Sequence, residues 1–429
     1  MAHLIIRNIG PIKNAEFDLN KINVFMGPQS CGKSTIAKII SYCSWFEKNM
    51  ILRTKLMNDF YQELIEFHNL EDSYFSADSY IEYVTSCCHI TFKGNDRENP
   101  VIDITLDQKH KFENRKIEYI PAERNFVALK GLGKYTDTKD NILNFLYDWF
   151  QAKQEIAQGT FTLPLSSLGG SYFYDKEHDT DNILLENGRP VNLRHSSSGL
   201  MSATPLLVIF DYVMRKVYAQ KRTKSPVELA RIQSYLKNMD VKQSEKLELL
   251  FEQFLKLQSD LDKKEKGERN VDGNALREQF YILQEGLINL LGLYGDYFYS
   301  QVIIEEPELN LFPKTQQDLV YYMLRVLNET QRNHILVLTT HSPYILFALN
   351  NCIMGGLVKD KVPADETKTF VSYPSWIAPS LVSVYEIHSG CLKRIQDEDG
   401  IIEDNYLNQA YKNNSSEYLS LLNYYEDEE

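Results

Sequence analysis

The chain has 429 residues, 43% of them hydrophobic, which is ample for a large core and on length alone allows two or three domains. A net charge of −13 makes it no general magnet for nucleic acid, so any contact with DNA or RNA has to come from a local basic patch. No apolar run reaches the roughly 18 residues of a membrane span. The first ten residues lack a signal-peptide core, and six cysteines without C-x-x-C pairs or metal spacing read as free thiols in a reducing cytoplasm.

In chain order, 3–19 reads as two strands around a turn at Gly10-Pro11, with Ala15, Phe17 and Leu19 alternating with Glu16 and Asp18. The apolar run 22–26 suits a buried strand. Gly27, Pro28, Gln29, Ser30, Cys31, Gly32, Lys33 and Ser34 then fit G-x-x-x-x-G-K-[ST] at every fixed position, followed by Thr35 and a helix with Ile36, Ile39, Ile40 and Cys43 on one face. The two glycines let the backbone curl so that its N–H groups point at phosphate oxygens, and the helix N-terminus adds partial positive charge. Lys33 is expected to reach the β- and γ-phosphates, and the Ser34 hydroxyl to ligate Mg²⁺.

Apolar spacing predicts a helix over 49–69, strands over 89–92, 101–106 and 117–120, and a helix over 140–156 with Asp140 as its cap. An Asn-Gly turn at 187–188 marks a hairpin over 183–193. The run from Ser196 to Ser202 opens a helix to about Tyr218, and serines and glycine there make an N-cap. A charged helical segment follows over 221–270, and a further helix over 274–291.

The run 302–304 is a buried strand that ends in Glu305 and Glu306. Paired carboxylates at a strand end are costly to bury unless they serve a cation or a reaction. Glu305 is expected to hold Mg²⁺ and Glu306 to polarise an attacking water. Pro313 suits the first position of a helix to about Thr330. The strand 335–338 runs into Thr339, Thr340 and His341, and its order after the paired acids puts His341 in reach of a γ-phosphate. Strands over 369–373 and 381–387 and a polar, Asn-rich end complete the chain; Asp397-Glu398-Asp399 reads as a solvated turn.

Four stretches thus stand in order: GPQSCGKST, SSSGLMS, VIIEEPELNLFP and TTHSP. This order resembles the ABC-type ATPases of the SMC, RecF and OLD-like group, and within it the bacterial AAA-named OLD-like ATPases that accompany defence systems. The resemblance implies an α/β P-loop NTPase with an ABC-type ATPase head: a mixed sheet flanked by helices, plus a helical insertion. One head would occupy 1–429, with a helix-plus-strands insertion over 50–112, the helical insertion over 221–297, and C-terminal strands and tail over 344–429. ATP and Mg²⁺ are the implied ligands, bound by residues 27–35 with Ser34 and Glu305 on the metal. Glu306 would be the catalytic carboxylate and His341 the switch histidine. Ser197, Ser198 and Gly199 would form the signature that meets the γ-phosphate of a partner subunit in a homodimer. No clear Q-loop glutamine is present; Arg124, in the stretch 121–125, is the candidate for that region.

The family's Leu-Ser-Gly-Gly-Gln is absent, and Glu305 stands where transporter ATPases carry Asp. The segment after His341 is short for the Toprim nuclease domain of OLD nucleases, so a nuclease would be another protein. The expected function is a cytoplasmic, ATP-hydrolysing switch that dimerises around ATP and controls an effector or acts on DNA, in phage defence or DNA repair. The alternatives are the ATPase subunit of a transporter, or an ATP-bound, non-hydrolysing sensor or scaffold. The densest basic run for DNA is Arg215, Lys216, Lys221, Arg222 and Lys224.

Overall fold

The computed structural model describes residues 2–51, 60–96, 99–107, 112–128, 141–157, 159–218, 253, 256–257, 297–422 and 424–425. Alternating apolar residues build its largest element. Eleven described strands form one sheet in the order β6-β5-β4-β1-β2-β15-β14-β3-β13-β12-β7. They are β1 (His3–Ile9), β2 (Ile12–Asp18), β3 (Ile22–Met26), β4 (Tyr80–Val84), β5 (Cys88–Asp96), β6 (Asn99–Leu106), β7 (Arg115–Ile120), β12 (Tyr299–Glu305), β13 (Ile335–Thr340), β14 (Val382–His388) and β15 (Cys391–Arg394). Strands β14, β3, β13, β12 and β7 run parallel, while β1, β2, β4, β5 and β6 form an antiparallel arm.

Period-2 side-chain alternation divides the parallel strands between two cores. Ile22, Val24, Met26, Val302, Ile304, Leu336 and Leu338 enter one cluster, while Phe25, Ile303 and Val337 enter the other. The first is covered by α3 (Asn141–Ile156), α4 (Ser198–Asp211), α5 (Pro313–Glu329) and α6 (Pro343–Val358). The second is covered by α1 (Lys33–Ile51), α2 (Phe60–His68) and the antiparallel arm. Each fully buried aliphatic side chain contributes about 1.5–3 kcal/mol. A charge at Val337, mid-strand and fully buried, would therefore break the layer between the two cores. A second sheet, ordered β11-β10-β9-β8, joins β8 (Phe161–Thr162), β9 (Ser171–Asp175), β10 (Thr180–Leu184) and β11 (Pro190–Asn192), with the Asn187-Gly188 turn between the last two.

The expected fold class holds: an α/β P-loop architecture with a mixed sheet flanked by helices. One local expectation is corrected and two are refined. Residues 369–373 are not a strand: they run from the end of the 3-10 turn Thr367–Thr369 into the 3-10 turn Tyr373–Ser375, after which Trp376 packs over Gly355. The helix opened near Ser198 ends at Asp211, and a turn of π-helix spans Tyr212–Lys216. The Asn-rich end forms α7 (Tyr406–Leu422), which has no buried side chain. The helix predicted over 49–69 is represented by the end of α1 and by α2; 52–59, Asp140 and nearly all of 221–297 lie outside the described residues.

Candidate functional site

The loop between β3 and α1 needs its glycines. Gly27 and Gly32 have φ of +152° and +107°. A Cβ on Gly27 would stand 2.7 Å from the Ile387 carbonyl oxygen, and one on Gly32 would strike the Ile12 side chain at 2.3 Å. Ser30 also takes a positive φ, +60°, which sharpens the curl. Lys33 opens α1 with its ammonium donating to the Gly27 and Pro28 carbonyls at 2.9 and 2.7 Å. A buried ammonium and the N-terminus of a 19-residue helix thus stand at the same loop.

The C-terminal end of β12 lies beside that loop, one strand removed in the sheet. The Ser34 hydroxyl donates to Glu305 Oε2 at 3.0 Å, and the Tyr119 hydroxyl donates to the other carboxylate oxygen. Burial pushes the Glu305 carboxyl up from its ordinary range, and the Ser34 hydrogen bond partly opposes this. A hydroxyl and a buried carboxylate are hard oxygen donors of the kind Mg²⁺ takes, so the residues present fit that ion. Among the described residues no cluster of three or more His, Cys, Asp or Glu forms an all-protein metal cage.

The chain reverses immediately after Glu305. Glu306 takes a left-handed φ of +42° and donates its N–H to the Thr339 carbonyl at 3.0 Å. This turn carries the partly exposed Glu306 side chain out of the sheet and to His341, whose Nδ1 is 3.5 Å from Glu306 Oε1. Parallel pairing of β12 with β13 brings the paired acids and the histidine together.

Arg124 lies under this turn and is fully buried. Its guanidinium donates to the carbonyls of Glu305 (2.9 Å), Glu306 (3.0 Å), Pro307 (3.3 Å), Pro121 (3.3 Å) and Ser202 in α4 (3.0 Å). Burial pushes its pKa down to about 10, with Glu308 and Glu306 opposing. Arg124 therefore braces the paired-acid turn against α4, with no donor left pointing out of the protein core.

Ser197 caps α4, accepting from the Leu200 N–H at 3.3 Å, and Ser197 and Ser198 are exposed. A Cβ on Gly199 would lie 3.2 Å from the Asn310 carbonyl oxygen, so this glycine is also a packing position within the monomer. Among the described hydrogen bonds none joins residues 197–199 to residues 27–35. In the basic run, Arg215 pairs with Asp211 and Glu329 at 2.6 and 2.5 Å, and Lys216 lies 3.9 Å from Asp211. The described part of that patch is neutralised by acids; Lys221, Arg222 and Lys224 lie outside the described residues.

Sequence reasoning missed two residues here. Tyr119, at the end of β7, touches Glu305, but its spacing carries no motif. Glu308 closes the EEPE stretch, where the motif itself assigns it no role. Its Oε1 accepts from the Thr340 hydroxyl at 2.7 Å and the His341 N–H at 2.9 Å.

The family model described as an AAA domain matches residues 3–279. Among solved structures, the chain is similar to an SMC head domain from Thermotoga maritima: 10% identity, TM-score 0.38, covering 92% of this chain and 98% of that one. It is also similar to the recombination mediator protein RecF: 13% identity, TM-score 0.30, covering 92% and 97%. The ATP-binding cassette MJ0796, a dimer in a post-hydrolysis state bound to ADP and Pi, matches at 11% identity and a TM-score of 0.25, covering 92% and 99%. No curated protein matches the chain. The domain match spans well over half of the sequence: the chain belongs to the AAA domain family of P-loop ATPases.

Proposed function

We propose that this protein binds ATP with Mg²⁺, hydrolyses it, and dimerises around it as an OLD-like switch acting on a partner effector or on DNA. The observation that carries the reading is the 3.0 Å contact between Ser34 of the phosphate loop and Glu305 of the strand end. It joins two motifs 271 residues apart at the point where a metal-bound triphosphate would need both. Loop N–H groups and Lys33 hold the phosphates. Ser34 and Glu305 hold Mg²⁺, which when bound neutralises phosphate charge. Glu306 orients the attacking water and accepts its proton, and His341 supports Glu306 from the neighbouring strand end.

In this reading one head occupies 1–429, with 50–112, 221–297 and 344–429 as its additions, and the protein works in the cytoplasm in phage defence or DNA repair. Exposed Ser197 and Ser198 support a contact with ATP held by a second copy. No helix among the described residues is long and apolar enough to cross a membrane. The test is Glu306→Gln, which keeps shape and removes the base. It should bind ATP, fail to turn it over and accumulate as a dimer in sedimentation. Wild-type turnover in the variant overturns the assignment of Glu306, and a wild type that never hydrolyses ATP leaves the sensor or scaffold reading.

A further inference from the structure

Three acids and a histidine surround the end of β13, and the proposed hydrolysis uses only Glu305, Glu306 and His341. Glu308 is the fourth group. It is 6% exposed, and its Oε1 receives two hydrogen bonds, both from the strand end that carries the histidine: Thr340 Oγ1 at 2.7 Å and the His341 N–H at 2.9 Å. The same oxygen lies 3.8 Å from His341 Nδ1. Among the described residues Glu308 Oε2 is buried without a hydrogen-bond partner, and so is His341 Nδ1. A buried carboxylate is expensive to keep for packing alone, since a part-satisfied polar group costs more than an apolar one of the same size.

We propose that Glu308 is a positioning residue that sets the height and ring orientation of His341 against Glu306. The inference rests on the hydrolysis reading above. The geometry is that of a bracket. Glu306 Oε1 stands 3.5 Å from the imidazole Nδ1 and Glu308 Oε1 3.8 Å from the same atom, so two carboxylates flank that nitrogen without hydrogen-bonding it. Glu308 alone also grips the main chain of His341, fixing where the ring starts. The Glu306–Pro307–Glu308 turn is itself tied down by Arg124, so the bracket has a rigid base. Burial pushes the Glu308 carboxyl above its ordinary range, while the hydrogen bonds from His341 and Thr340 draw it back. Its grip on the strand end survives either protonation state, because Oε1 accepts in both.

The chemistry predicts which substitutions are tolerated. Glu308→Gln retains an oxygen that accepts from Thr340 and His341, and should keep most of the turnover. Glu308→Ala removes the grip, and Glu308→Asp draws it back by one methylene. Both should lower kcat about tenfold or more with KM little changed, because misplacing a catalytic group by about 1 Å costs on that order or above. The decisive experiment is a double-mutant cycle with His341→Ala, measuring kcat and KM for ATP together with thermal midpoints. If Glu308 acts through His341, the double variant turns over at the rate of His341→Ala alone. Losses that multiply, or Glu308→Asp at wild-type kcat, overturn the inference while leaving the ATPase reading intact. Absence of turnover in the wild type overturns both. Should Glu308→Ala fail to fold, the Asp and Gln pair carries the same cycle.

Discussion

Arg124 Nη2 donates to the carbonyl of Glu306 at 3.0 Å, and Glu306 holds a left-handed φ of +42°. Left-handed backbone costs a residue with a side chain roughly 1–2 kcal/mol, so something must overdetermine it. The guanidinium does so by taking three successive carbonyls, those of Glu305, Glu306 and Pro307. Arg124→Met keeps the bulk and removes every donor, leaving buried carbonyls unsatisfied at about 1–3 kcal/mol each. The variant should unfold at a clearly lower temperature and lose ATP turnover even where it folds. An unchanged thermal midpoint would show that the brace is dispensable.

Lys33→Ala and Glu305→Gln should fail in different ways. Lys33 is the only lysine of the phosphate loop, and charge-assisted phosphate contacts are among the stronger polar interactions. Its removal should weaken ATP binding strongly with or without magnesium. Glu305→Gln should bind nucleotide but need far more Mg²⁺ for turnover. A fluorescent ATP analogue titrated at several magnesium concentrations separates the two. Equal magnesium dependence in both variants would end the division of roles.

Legibility followed the range of the interaction. The phosphate loop was readable because its residues act on one another within a few positions. The strands β3, β12 and β13 were readable because burial on both faces leaves largely apolar runs, β3 broken only by the buried Asn23. Shorter alternations, Tyr80-Ile81-Glu82-Tyr83-Val84 in β4 and Tyr172-Phe173-Tyr174 in β9, carry a weaker signal. Residues 369–373 read as β-branched and aromatic, but local propensity lost to the tertiary demand that Trp376 cover Gly355. The Arg124 brace and the grip of Glu308 on Thr340 join residues 181 and 32 positions apart or close to it, and no window of sequence holds both ends.

Two buried histidines give a pH dependence. Burial pushes His334 down to about 4 and also lowers His68 well below the ordinary imidazole value. His334 is fully buried, with Nδ1 accepting the Ser300 N–H at 2.9 Å. In the unfolded chain these rings protonate near pH 6.5, whereas in the folded chain they stay neutral well below it. Their contribution is therefore complete above about pH 6.5 and is lost as pH falls from there toward 4. Over that window His334 alone accounts for on the order of 3 kcal/mol. His334→Gln, which can still accept from Ser300, should show a flatter fall in urea midpoint between pH 6.5 and 4 than wild type. Parallel curves would mean that His334 does not titrate across unfolding.

The proposed trans contact needs a variant that leaves the monomer alone. Gly199 is the obvious choice, but a Cβ there would meet the Asn310 carbonyl oxygen at 3.2 Å, so Gly199→Asp would disturb the loop after Glu308 within its own chain. Ser197 is committed as the cap of α4. Ser198 is exposed, stands in the first turn of α4 and, among the described residues, makes no side-chain hydrogen bond that a substitution would break. An aspartate at that position favours the helix, since negative charge near a helix N-terminus contributes about 0.3–1 kcal/mol. The same charge would face the triphosphate held by a second copy and repel it. Ser198→Asp should therefore keep or slightly raise the thermal midpoint and leave ATP binding by the monomer intact. In the Glu306→Gln background it should remove the ATP-dependent dimer, because nucleotide and interface are linked by mass action. Sedimentation with and without ATP reads the result. A dimer that persists undiminished with Ser198→Asp would make residues 196–202 a helix cap and nothing more.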